Sequence, residues 1–358
     1  FSVFEFYSLD YNNFISALDT HHEGTFLTAQ LNIISKNKYW SGTFFDYGFL
    51  GNSIGLFFNF LFDDYSIGIQ RFSFQLLILI NKIFIILICK KIITSLNDAN
   101  KKEFLYLIFT LSSLTLVSFH DPVTPFHSRI FLFLLFTLLV FKVVCSEKSS
   151  LVANLFVGSF SLFSILFYWD IGTYINVLLI VFLIYIFLVN KFIDFYQIIF
   201  GIILSWVMFF FIVPNDEFKE LINQYLFIIN ISDYLIGIEY PEPFSAKSTR
   251  HTKALLLIIL AGVFLINYIF NINRNESLQS KFLLLFLFIS SIIFFKSGLM
   301  RSDTPHIKYT SGIYTLLVFF FISYYCVKIA NNIEKFNKFF IFFEKRKIFL
   351  IVSSLICF

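Results

Sequence analysis

The chain has 358 residues, 58% hydrophobic and 14% charged, with a formal net charge of +4. A soluble domain is nearer half apolar and a quarter charged, and no water-soluble core hides the 55 phenylalanines found here. Composition therefore excludes a water-soluble globular domain and predicts an all-α polytopic membrane protein with about 9–10 transmembrane helices.

The chain opens on Phe1 and closes in an apolar run, 348–358, too short for the roughly 20 residues of a span. It is therefore expected to be a piece of a longer protein, with a helix before it and more after it. The opening FSVFEFYSLDYNN has no basic region and no cleavage motif, so no signal peptide is expected.

Residues 1–71 read as a first outer loop with interfacial helices and an acidic motif. The motif is LDTHHEG, where Asp19, His21, His22 and Glu23 crowd together. A carboxylate held at a reacting hydroxyl can take its proton, which makes Asp19 and then Glu23 candidate bases, with His21 and His22 beside them. A metal held by Asp19, His21, His22 and Glu23 is the lesser reading, since adjacent histidines chelate awkwardly. No cofactor is expected, and a divalent metal stays open. Thr25 to Ser35 reads as an amphipathic helix with Phe26, Leu27, Leu31, Ile33 and Ile34 on its apolar side. The aromatic-glycine stretch KYWSGTFFDYG follows, with Asp46 and Tyr47 as cavity candidates, and 49–62 reads as interfacial or re-entrant.

Residues 72–358 read as a multi-span domain. Apolar runs predict spans at about 72–95, 104–119, 130–145, 151–168, 173–189, 195–213, 254–272, 282–297 and 311–330, with another from 348. Lys and Arg collect in alternate loops, which should face the cytoplasm. The opposite set, 1–71, 120–129, 169–172, 214–253 and 298–310, carries most of the acids and every dense polar motif. HDPVTPFHSR, with two prolines, predicts a rigid non-helical turn bearing His120 and Arg129, and Asp170 is expected to face the same cavity. The stretch 214–253 predicts a lid, an acceptor-binding wall or an irregular connector. RSDTPH offers Arg301 and His306 as phosphate donors, with Asp303 to orient them. The four cysteines, Cys89, Cys145, Cys326 and Cys357, form no CxxC pair and read as core residues.

The acidic motif in the first outer loop, the helix after it, the aromatic-Asp-Tyr-Gly turn and RSDTPHI together resemble the GT-C superfamily of membrane glycosyltransferases. These use polyprenyl-phosphate-linked sugars, as protein O-mannosyltransferases and lipid A aminoarabinose transferases do, and uncharacterised bacterial members look similar in these two patches. The resemblance implies transfer of a sugar to a lipid, glycan or protein hydroxyl on the periplasmic face of a bacterial inner membrane. It implies Asp19 or Glu23 as base and Arg301, His306, Arg129 and His120 as holders of the donor phosphate, with His21, His22, Asp46, Tyr47, Asp170 and Asp303 lining the cavity. The partners expected are the polyprenyl-phosphate-sugar donor, its acceptor and membrane lipids, with no nucleic acid. The alternatives are a flippase or transporter of lipid-linked saccharides, disfavoured because Lys82 is almost the sole strong charge inside a span, and a non-catalytic subunit of a membrane complex.

Overall fold

Backbone in lipid must satisfy its own hydrogen bonds, and this chain does so by helix. The computed structural model describes residues 22–36, 38–45, 48–62, 66–96, 102–114, 126–235, 249–272, 277–300 and 304–331, and among these there is no strand. In chain order the helices are α1 (His22–Lys36), α2 (Phe49–Asn52), α3 (Leu56–Phe62), α4 (Ile67–Ser95) and α5 (Lys102–Leu114). Then come α6 (Phe126–Cys145), α7 (Leu151–Phe167), α8 (Trp169–Leu188), α9 (Phe192–Ile212) and α10 (Asn215–Leu235). Finally α11 (Thr249–Asn267) runs into a π-helical turn (Tyr268–Ile272), followed by α12 (Leu278–Met300) and α13 (Thr304–Asn331).

Six stretches among the described residues are long and apolar enough to cross a bilayer: Ile67–Ser95, Trp169–Leu188, Phe192–Ile212, His251–Phe270, Leu278–Lys296 and Gly312–Ile329. The protein is thus an all-α, multi-pass membrane protein. The span expected at 151–168 comes out shorter, as α7 of 17 residues, and of the span expected at 104–119 the described residues are helix to Leu114.

Four expected loops also change. The 169–172 loop is the first turn of α8, because Tyr168 alone makes the connection and Gly172 lets α8 pass close to the Ser164–Ile165 backbone. Of 120–129, the residues from Phe126 are helix, which puts Arg129 in the first turn of α6, and 120–125 lie outside the described residues. Most of 214–253 is helix, since α10 buries Glu217, Leu221 and Gln224 at helical spacing and leaves Asp216 and Lys219 in the open. Of 298–310, residues up to Met300 belong to α12 and those from Thr304 to α13.

The chain falls into two compact units. One takes Ser16–Ile78 and Asp121–Tyr240, the other Phe1–Ile15, Leu79–His120 and Pro241–Phe358, so α4 contributes to both. In the first, α7 is the central helix, packed on α6, α8 and α9. Its contact with α9 is backbone to backbone: a Cβ on Gly158 would stand 2.9 Å from Gly201 Cα, and one on Gly201 2.7 Å from Leu155 O. Small residues at such a crossing let helices gain van der Waals contact where lipid offers no hydrophobic drive. At one end of this contact buried Asn154 donates to Asp194 Oδ1 (2.7 Å) and Gln197 Oε1 (2.8 Å), tying α7 to the start of α9. There too Lys191 Nζ donates to the carbonyl of Ser146 (3.1 Å) and reaches those of Val143 and Val144 (both 3.4 Å) at the negative end of α6.

In the second unit α13 packs on α5, α11 and α12. Phe109 meets Phe320 edge-on (5.4 Å), and Tyr268 sits among Phe320, Phe321 and Tyr324. Ser290 and Ser291 are buried in α12 and donate to the carbonyls four residues back, Phe286 (2.7 Å) and Leu287 (2.8 Å).

Candidate functional site

The first unit holds the polar residues with the most developed geometry, and α1 is where they begin. Glu23, Phe26, Ala29, Gln30 and Ile33 recur at helical spacing and are buried, whereas Leu31 and Ile34 are 54% and 47% exposed. The inward face of α1 is therefore partly polar, and the expected apolar side is split between protein and surroundings.

That face lies along the first turns of α4. Arg71 Nε and Nη2 donate to Glu23 Oε1 (2.5 Å) and Oε2 (3.0 Å), with both side chains 3% exposed or less. One turn on, Phe26 meets Phe74 edge-on at 5.5 Å. Next, Gln30 Nε2 donates to Gln70 Oε1 (2.7 Å), and Gln30 Oε1 accepts from Asn59 Nδ2 (2.6 Å). Asn59 is the buried anchor of α3, whose Phe57 and Phe60 stand 67% and 81% exposed on the other side. The segment 49–62 thus forms two short helices pinned from within by amides and faced outward by phenyl rings, as an interfacial element requires.

Residues 38–45 are held by their backbone. Gln224 Nε2 of α10 donates to the carbonyls of Trp40 (2.7 Å) and Thr43 (2.9 Å), and its Oε1 accepts from Phe45 N (3.4 Å). Glu217 accepts from Ser41 N (3.0 Å) and from Ser41 Oγ. Trp169 Nε1 donates to the Phe45 carbonyl (2.7 Å). Trp40, Phe45, Trp169 and Leu221 share one buried cluster with Ala29 and Ile33, so the start of α8, the first half of α10 and α1 meet here. Gly48 takes φ +134°, a region closed to most side chains, and a Cβ there would stand 2.6 Å from the Phe167 carbonyl.

A second ion pair lies at the connection from α7 to α8. Arg129 Nη1 stands 3.3 Å from Asp170 Oδ2, and its guanidinium carbon lies 5.2 Å from the centroid of the buried Tyr168 ring. Arg129 is buried, but the Asp170 side chain is 36% exposed. Tyr168, the residue preceding α8, gives its first turn no side-chain cap, and Asp170 is the acid of that turn. Sequence neighbours of the two pairs converge: Phe131 packs against Phe26, Phe74 and Leu77, and its ring lies 6.2 Å from that of Phe167.

Of the expected site residues, Arg129 and Asp170 are brought together. Glu23 is joined to Arg71, which the sequence reading passed over. With both oxygens on Arg71, Glu23 could act as a base only by leaving a buried cation unpaired, so it is placed to hold Arg71. Asp19, His21, Asp46, Tyr47, His120, Arg301 and Asp303 lie outside the described residues. His22 opens α1 and His306 lies in the first turn of α13, with both side chains outside the described set. Among the described residues no group of three or more His, Cys, Asp or Glu converges as metal ligands.

No protein-family model matches the chain, and no curated protein or solved structure matches it either. The residues themselves therefore carry the functional argument. A signal for the missed pair was present: an arginine at the head of a long apolar run demands an acid, and Glu23 lies in the first turn of α1, upstream of it. Gln224 and Glu217 carried no such signal, because their partners in 40–45 lie far away in sequence and, apart from the Ser41 hydroxyl, are backbone atoms.

Proposed function

We propose that the protein is an integral membrane glycosyltransferase that moves a sugar from a polyprenyl-phosphate-linked donor to an acceptor hydroxyl. The observation that carries this reading is the polar end of the first unit. There a buried arginine meets a partly exposed acid, Arg129–Asp170, and Phe131, two residues on from Arg129, packs against Phe26 of α1, the helix that follows Asp19 in the sequence. Asp19 is the base: it takes the acceptor proton as the acceptor oxygen bonds to the anomeric carbon. The bond from that carbon to the phosphate oxygen breaks, and the polyprenyl phosphate leaves with the electron pair. Arg301 and His306 are the first candidates to hold this phosphate, and Arg129 and His120 the alternatives, since donors fixed where charge develops lower the barrier most. The reading places the protein in a bacterial inner membrane with the reaction on the periplasmic side.

A flippase would bind the same phosphate without breaking the bond, and Lys82, buried in the middle of α4, is the feature that favours it. Sugar transfer from a polyprenyl-phosphate donor, measured in membranes holding the full-length protein, separates the two. Transfer by wild type, lost in Asp19→Asn and Arg301→Ala while both remain inserted and folded, is the expected result. Movement of the lipid-linked sugar across the bilayer without transfer overturns the enzyme reading.

A further inference from the structure

We infer that Asp170 is a resident counter-ion, exchanged at Arg129 for a phosphate carried on a lipid. This rests on the reading of the protein as a user of lipid-linked phosphate and says where that phosphate enters.

The argument comes from the contrast between two arginine–carboxylate pairs in one unit. Glu23 and Arg71 are joined by two bonds of 2.5 and 3.0 Å, with side chains 2% and 3% exposed. A pair like that has no solvent route for a competing anion, and opening it strands two buried charges. Arg129 and Asp170 meet through a 3.3 Å approach, and the acid side chain is 36% exposed. An acid so placed can turn into water, and the buried Arg129 it would strand is satisfied when another anion takes its place. Arg129 cannot follow, because it is 8% exposed and its guanidinium is stacked on Tyr168. When Asp170 turns away, Arg129 stays beside the first turn of α8, where Tyr168 makes no side-chain cap bond. Arginine and a helix N-terminus are both suited to phosphate oxygens, the one by its planar donors and the other by its free N–H groups and dipole.

Lipid-borne phosphate fits better than a soluble anion. Arg129 is in the first turn of the apolar helix α6, and Asp170 in the first turn of a 20-residue span. Asp170 stands at the head of a helix long and apolar enough to span, with Arg129 of the apolar α6 beside it, which puts the pair within reach of a headgroup whose chain remains in the bilayer.

The test uses the full-length protein in phosphatidylcholine nanodiscs, titrated with a fluorescent short-chain polyprenyl monophosphate. Asp170→Asn removes the competitor and keeps the size, so binding is expected to tighten by about fivefold. Arg129→Gln is expected to weaken binding by about tenfold or more, and in its presence Asp170→Asn should change nothing. If Asp170→Asn leaves binding unchanged or weaker, or tightens it equally without Arg129, the exchange is wrong and Asp170 is structural. Should Arg129→Gln fail to fold, the Asp170→Asn arm decides alone. Adding phosphatidylglycerol to the discs separates the sources: displacement of the probe assigns the site to phospholipid headgroups, and its retention assigns it to the polyprenyl monoester. Sugar transfer from a polyprenyl-phosphate-linked sugar to its acceptor is followed in parallel nanodiscs without the probe. Absence of transfer by wild type with the binding pattern intact sinks the enzyme reading alone, whereas transfer with no Asp170 effect on binding sinks the exchange alone.

Discussion

Glu23 and Asp170 are both carboxylates facing an arginine, yet their surroundings give them different work. Replacing Glu23 by Gln keeps the shape and removes the charge, which leaves Arg71 as a buried cation without its counter-charge. The expected cost is about 3 kcal/mol of stability, read as a lower unfolding midpoint in detergent. The charge-swapped double variant Glu23→Arg/Arg71→Glu should recover part of it. A catalytic base would behave otherwise, losing transfer while keeping its midpoint, so an unchanged midpoint for Glu23→Gln would refute the strut reading. At this scale the sequence was only half legible. That Arg129 and Asp170 share a surface followed from loop sidedness, because residues at the same end of successive spans are neighbours. That Glu23 reaches Arg71 required the register of α1 against α4, and apolar periodicity does not supply it when the inward face of α1 carries Glu23 and Gln30.

Helices whose burial comes from continuous apolar runs were found by hydropathy, and α1 by its amphipathic pattern, whereas a helix rich in polar residues was missed. α10 is that helix. Its polar residues suggested a loop, but Glu217, Leu221 and Gln224 spend their contacts on residues 40–45 and leave the opposite side to Asp216 and Lys219. The α7–α8 connection was missed for another reason: a break of one residue, Tyr168, leaves no polar gap to detect. The α7–α9 crossing yields a prediction at this scale. Gly201→Ala places a methyl 2.7 Å from the Leu155 carbonyl, so the helices must separate, at a cost of about 1–3 kcal/mol. Gly312→Ala in α13 meets nothing within 4 Å and should gain about 0.5–1 kcal/mol from helix propensity. Thermal unfolding of both variants checks this, and equal shifts in the same direction would remove the close crossing from the account.

For the whole molecule, the expectation of an all-α protein with many spans follows from composition alone, since lipid leaves helix as the solution for apolar chain of this length. Sidedness follows from charge in the connections and belongs to the biological membrane. From the alternation of Lys and Arg we propose the 146–150 turn inside and the 213–216 turn outside, and both Lys148 and Asp216 are exposed. With native cysteines removed, Asp216→Cys should react with an impermeant thiol reagent on intact cells. Lys148→Cys should react only after permeabilisation, and labelling of both from one side would reverse or abolish the proposed orientation.

Trp169, whose indole is bonded to the Phe45 carbonyl, has an optical consequence. The chain has three tryptophans, and Trp40 and Trp169 lie in the one buried cluster beneath residues 38–45, while Trp206 bonds Ser161 within the α7–α9 packing. The intrinsic ultraviolet emission of the unlabelled protein is therefore weighted toward that cluster. Whatever displaces the segment, or turns the adjacent Asp170, is expected to register there as a shift in colour or yield.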